Sequence, residues 1–159
     1  MITEDDKQFI QQAIDLATQN ALDGKGGPFA AIITRNGKVV ASGTNLVTSA
    51  NDPTAHAEVT AIRNACQQLG TFQLEGCTIY ASCEPCPMCL GAIYWARPDR
   101  LDFAANKHDA AQAGFADAFI YTELSLPMAE RTLITEQTLA EEGKKPFEVW
   151  NSLENKTEY

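Results

Sequence analysis

The stretch Phe29-Ala30-Ala31-Ile32-Ile33-Thr34-Arg35-Asn36-Gly37-Lys38-Val39-Val40-Ala41-Ser42-Gly43 decides how this chain folds. Phe29 to Thr34 is a continuous apolar run of the length a buried strand takes, and Val39 to Gly43 is a second strand candidate. Asn-Gly stands between them, and both residue types accept the positive φ angles of a tight turn whose twist matches paired strands. The reading is a β-hairpin.

Working outward, Thr3 with Asp6 forms a capping-box-like start, and Phe9, Ile10, Ala13, Ile14 and Ala17 recur at helical spacing to about Leu22. Asp23-Gly24-Lys25-Gly26-Gly27-Pro28 ends that helix. On the other side, Asp52 reads as the cap of a helix whose first residue is Pro53, carrying His56-Ala57-Glu58 in its opening turns and stopping at Gly70. Thr78 to Ser82 reads as a second buried strand. Met88 to Ala96 reads as a helix ended by Arg97-Pro98, and Leu101 to Ala105 as a short strand. The pattern then weakens, with helices expected near Asp109 to Ala116, Pro127 to Arg131 and Pro146 to Leu153.

Strands alternating with helices predict an α/β domain. The expected architecture is a three-layer α/β/α sandwich over a mixed, largely parallel sheet, with the hairpin as its antiparallel edge. The 159 residues read as one domain spanning 1–159.

Composition narrows the function. With 12 Lys and Arg against 21 Asp and Glu, the net charge is -9, a field that repels nucleic acid at long range. No stretch approaches the ~20 apolar residues of a membrane span, and the start is acidic where a signal peptide is basic, so a cytoplasmic protein is expected. In a reducing compartment the five cysteines are not expected to pair, and Cys83, Cys86 and Cys89 cluster as metal ligands do.

Thiolates and imidazole suit Zn2+. Three protein ligands, His56, Cys86 and Cys89, would hold one zinc ion per chain and leave a fourth tetrahedral position open to water. Cys86 and Cys89 begin an expected helix, where the dipole favours thiolates. Glu58 and His56 lie about 200° apart on an ideal helix, so both converge only on a metal placed over the helix end. There Glu58 would carry a proton from water to a leaving nitrogen.

Two other readings of the same residues stay open. Cys83 joining His56, Cys86 and Cys89 would close the site as a structural zinc module and leave Glu58 an ordinary helix-opening acid, although Pro85 and Pro87 restrict that folding. A metal-free reading makes the cysteines buried hydrophobes and His56 a satisfied core residue. His108 reads as a surface or supporting residue, and Cys66 and Cys77 as small core residues.

Thr54-Ala55-His56-Ala57-Glu58 with Cys83-Glu84-Pro85-Cys86-Pro87-Met88-Cys89-Leu90-Gly91-Ala92 resembles the cytidine and deoxycytidylate deaminase superfamily. Gly26-Gly27-Pro28-Phe29, Asn51-Asp52-Pro53, Ala92 to Pro98, Ala113-Gly114-Phe115 and the tail Asn155 to Tyr159 look like its bacterial guanine deaminase family.

The resemblance implies a cytidine deaminase-like fold and hydrolysis of guanine to xanthine and ammonia, with zinc on His56, Cys86 and Cys89 and Glu58 as proton shuttle. It implies a small-molecule purine as partner, with neither nucleic acid nor membrane. It further implies a homodimer in which a C-terminal segment, about 140–159, crosses to the partner. The implied guanine-reading residues are Phe29, Asn45, Trp95, Asp117 and Tyr159.

Guanine presents both acceptors and donors, so a donor such as Asn45 and an acceptor such as Asp117 fit it, and Phe29 and Trp95 suit its flat faces. Core packing is the competing reading for each aromatic, a turn role for Asn45, and a disordered terminus for Tyr159. A tRNA adenosine deaminase and a cytosine or cytidine deaminase would use the same metal and glutamate.

Overall fold

Thr3 caps the first helix, α1 (Glu4–Leu22): its hydroxyl accepts from the Asp6 N–H while the Asp6 carboxylate accepts from the Thr3 N–H, the expected capping box. The computed structural model describes residues 2–159. Strands β1 (Ala30–Arg35) and β2 (Lys38–Thr44) form the expected hairpin, turning at Asn36 and Gly37 with φ of 51° and 69°. A register shift lies between Ile33 and Thr34.

A short helix α2 (Val47–Ala50) precedes α3 (Ala57–Leu69), followed by β3 (Cys77–Cys83), α4 (Pro87–Ala96), β4 (Arg100–Ala105) and α5 (Lys107–Gln112). The expected helix start at Pro53 is corrected by four residues. Asp52 does not cap a helix; its carboxylate accepts from the Thr54 N–H and hydroxyl at 2.8 and 2.7 Å, closing a local turn. His56 becomes the N-cap of α3, while Gly70 ends it in the left-handed conformation as expected.

The sheet order is β2-β1-β3-β4. It is mixed, as expected, but only β3 and β4 pair in parallel; β1 runs antiparallel to both β2 and β3. The hairpin is the cause. It reverses the chain, and the crossover through α3 then lays β3 beside β1 rather than beside β2, with the opposite sense to β1.

Period-two alternation sends Ile32 and its partner Tyr80 to one face, where they bury Ala13 of α1. Ile33 and its partner Ile79 point to the other face, packing with Ala31, Ala61, Ala65, Leu74, Cys77, Ile93 and Ala96. Helix α1 therefore covers one side of the sheet and α3 with α4 the other, giving the expected three layers. Cys77 is in this core and Cys66 packs against it, as expected.

Gly43 of β2 admits α3: a Cβ there would collide with the Ala57 oxygen and the Ala61 nitrogen of the helix backbone. Asp6 pins α1 to the sheet. The Tyr80 hydroxyl donates to its Oδ1 at 2.6 Å, and Arg100 reaches its Oδ2 at 3.2 Å.

The chain divides into two compact units, Met1–Ala118 and Phe119–Tyr159. The second holds most of α6 (Ala118–Ser125), which periodicity did not predict, single 3-10 turns at Met128–Glu130 and Glu142–Lys144, and α7 (Lys145–Ser152). Within it the Lys156 ammonium lies 5.9 Å from the centroid of the Trp150 ring. Among the described residues, no helix is long and apolar enough to cross a membrane.

Candidate metal centre

Two helix beginnings bring the ligands together. His56 is the N-cap of α3 and Cys86 the N-cap of α4, and neither side chain caps its own helix, so both turn outward. Pro87 opens α4, and Cys89 sits in its first turn. Both thiols and His56 therefore lie at positive ends of helix dipoles.

Nδ1 of His56 is 3.5 Å from Sγ of Cys86 and 3.5 Å from Sγ of Cys89. Two ligands at Zn–S and Zn–N bond lengths on a tetrahedral ion stand about 3.6 Å apart, so this donor set fits zinc. All three ligand atoms lie within 4.8 Å of one another. Three donors of this kind would hold one metal ion with room for a further, non-protein ligand.

Cys83 does not complete that set. Its buried thiol donates to the Asn106 backbone oxygen at 3.7 Å, and burial, then the Glu58 charge, push it up to about 11. The closed structural site is therefore not favoured, since the donor atoms that cluster are those of His56, Cys86 and Cys89. The metal-free reading draws less support, because a ring nitrogen of His56 meets both thiols in one cluster of zinc-binding donor types.

Glu58 stands in the first turn of α3, only 8% exposed, with Oε2 accepting from the Cys89 thiol at 3.4 Å. Burial raises its pKa above the ordinary glutamate value. Cys86 titrates well below a free thiol, chiefly through its hydrogen bond with Cys89 and then with His56, and Cys89 correspondingly holds the shared proton. The Cys86 hydrogen bond raises His56, with the charges of Glu58 and Asp117 adding to it.

The other expected site residues differ in burial. Phe29 is half-buried and meets Phe115 edge to face, with centroids 4.9 Å apart, while Asn45 is buried beside the Gly26-Gly27 loop. Asp117 is half-buried and lies close enough to act on His56. Trp95 is 65% exposed on α4, which rules out core packing. Tyr159 ends the second unit, 71% exposed.

Sequence reasoning gave no role to Asn20 or Gly43. Asn20 sits inside a helix beside other polar residues, and no local pattern marks a side chain that reaches 25 residues along the chain. His108 is exposed, as expected.

The family of the cytidine and deoxycytidylate deaminase zinc-binding region matches residues 3–105. Guanine deaminase of Bacillus subtilis (strain 168) is 54% identical over 151 residues, 95% of this chain and 97% of that protein. A crystal structure of guanine deaminase from Bacillus subtilis superposes with a TM-score of 0.95 at 51% identity, covering 99% of each chain.

The tRNA-specific adenosine deaminase of Bacillus subtilis (strain 168) is 38% identical over 100 residues, 63% of this chain and 62% of that one. A solved structure in complex with 8-azaguanine matches with a TM-score of 0.67 at 32% identity, over 70% of this chain and 64% of that one. This chain belongs to the cytidine and deoxycytidylate deaminase family and, within it, to the guanine deaminases.

Proposed function

We propose that this chain hydrolyses guanine to xanthine and ammonia. The observation that carries the reaction type is the buried Glu58 carboxyl in contact with Cys89 of the His56, Cys86 and Cys89 cluster. The near full-length likeness to a guanine deaminase supports the choice of base.

Zinc held by His56, Cys86 and Cys89 supplies a Lewis acid that activates water at neutral pH. Glu58 passes one proton of the attacking water to the ring nitrogen as oxygen adds to the ring carbon, then carries the remaining hydroxyl proton to the exocyclic nitrogen; the C–N bond breaks, the C=O bond forms and ammonia leaves. Burial suits Glu58 to both halves of that task by raising its pKa toward the working range. Phe29 lies along one face of the base. Asn45 donates to an acceptor of the base, Asp117 accepts from its N–H groups, and Trp95 and Tyr159 complete the recognition set.

Tyr159 acts in a homodimer, where the C-terminal segment of a partner copy supplies it. Exposed apolar side chains in the second unit, among them Leu133, Ile134, Leu139 and Phe147, support such an association. The five free thiols accord with the reducing cytoplasm as its place of action.

The tRNA adenosine reading draws less support, because that likeness spans 63% of the chain and the net charge of -9 opposes a phosphate track. Ammonia release from guanine, guanosine, adenine, cytosine and a tRNA anticodon stem-loop separates the readings. Guanine alone is expected to react. Ammonia from the stem-loop, with guanine inert, overturns the assignment.

A further inference from the structure

Asn20 lies near the end of α1, 3% exposed, where a carboxamide weakens a helix more than it helps. Its Nδ2 explains the placement. It donates at 2.9 Å to the backbone oxygen of Gly27 and at 2.9 Å to that of Asn45. The same two residues are joined again, since the Gly27 N–H donates to Asn45 Oδ1 at 3.2 Å. Gly26 lets the loop approach, because a Cβ there would collide with the Asn45 backbone oxygen. Helix α1, the loop before β1 and the turn after β2 thus close on one another through Asn20.

Among the described residues, the hydrogen bonds of Asn45 leave one of its polar groups uncommitted. Its N–H donates to the Phe29 oxygen at 3.0 Å, its backbone oxygen is taken by Asn20, and its Oδ1 accepts from both Gly27 and Val47. Only Nδ2 remains. Flipping the carboxamide would point NH2 donors at two backbone N–H donors, so the two bonds at Oδ1 fix Nδ2 as a donor of set direction.

We propose that Asn20 is a positioning residue for base recognition: it holds Asn45 so that the Asn45 Nδ2 donates to an acceptor on the purine. This rests on the guanine reading above. A donor fixed in advance loses little side-chain freedom when the base binds. Without Asn20, the buried Asn45 oxygen loses its side-chain donor, the Gly27 oxygen is left with the Phe29 N–H, and the joint that aims Asn45 loosens.

The test uses the zinc-loaded full chain with Asn20→Ser, Asn45→Ala and the double variant, assayed on guanine. Asn20→Ser is expected to raise KM roughly tenfold, the order of one misaligned hydrogen bond, with kcat within about twofold. In the Asn45→Ala background it is expected to add little further loss, because the two act as one unit. A lowered melting temperature with unchanged KM overturns the proposal, as do losses that simply multiply.

If Asn20→Ser does not fold, side-chain amide NMR of the unaltered chain decides. Adding 8-azaguanine is expected to shift the Asn45 carboxamide signal, with the Asn20 carboxamide protons protected from exchange. An unmoved Asn45 signal or rapidly exchanging Asn20 protons overturns it. If the unaltered, zinc-loaded chain releases no ammonia from guanine, the guanine reading itself fails and this inference falls with it.

Discussion

Oε2 of Glu58 lies 3.4 Å from Sγ of Cys89, so the buried carboxylate touches one of the three sulfur and nitrogen atoms that fit zinc. This contact follows from the corrected start of α3. With His56 as the N-cap and Glu58 in the first turn, both side chains leave the helix end on the side that faces the start of α4. The convergence that ideal helix geometry forbids on a lateral face is achieved over the end of the helix.

Replacing Glu58 with Gln keeps the size of the side chain and removes its ability to carry a proton. Turnover on guanine is expected to fall roughly 10²- to 10⁴-fold, with zinc content unchanged. Steady-state kinetics beside metal analysis checks this. Turnover near that of the unaltered chain removes Glu58 from the reaction.

Stripping the metal is expected to abolish activity without unfolding the chain. Ile33, Leu74, Cys77 and Ile79 are completely or nearly buried in a core that does not pass through the ligand cluster. Circular dichroism after chelation should keep its helical signal, and activity should return with added Zn2+. Loss of the helical signal on chelation contradicts this and favours a metal-dependent fold.

A methyl group at Gly43 has nowhere to go except into the backbone of α3. Gly43→Ala is expected to cost about 1–3 kcal/mol of stability, the usual range for overpacking, and to lower zinc affinity by moving His56. Thermal melts with a zinc titration measure both. Unchanged melting and affinity would show that β2 and α3 do not set the ligand position.

Tyr80 most strongly, followed by Thr3 and then Arg100, holds the Asp6 carboxyl well below its ordinary value of 3.8. A carboxyl depressed in the folded state stabilises the fold above the unfolded value, and that stability is lost as pH falls below it toward the folded one. In metal-free protein, Asp6→Asn is therefore expected to be less stable than the unaltered chain at neutral pH. The difference should shrink as pH drops below about 3.8. Denaturant titrations from neutral to acid pH check the slope; a constant difference contradicts it.

Much of this was legible in local sequence. Asn36-Gly37 gave the hairpin because its turn requires positive φ, and Gly70 and Arg97-Pro98 ended α3 and α4 for equally local reasons. His56, Cys86 and Cys89 were legible because few residue types bind zinc.

Features set by distant partners were not legible. Asp52 and Pro53 make as good a helix start on paper as His56, and only the closed Thr54 turn decides between them. The sense of β1 against β3 depends on where the crossover lands. Asn20 acts on Gly27 and Asn45 through tertiary contacts that no spacing rule encodes.

X-ray absorption at the zinc edge of the metal-loaded protein tests the central claim most directly. The account predicts two sulfur neighbours at about 2.3 Å and two nitrogen or oxygen neighbours at about 2.0–2.1 Å. Three sulfurs, which would bring Cys83 into the shell, or none, would contradict it.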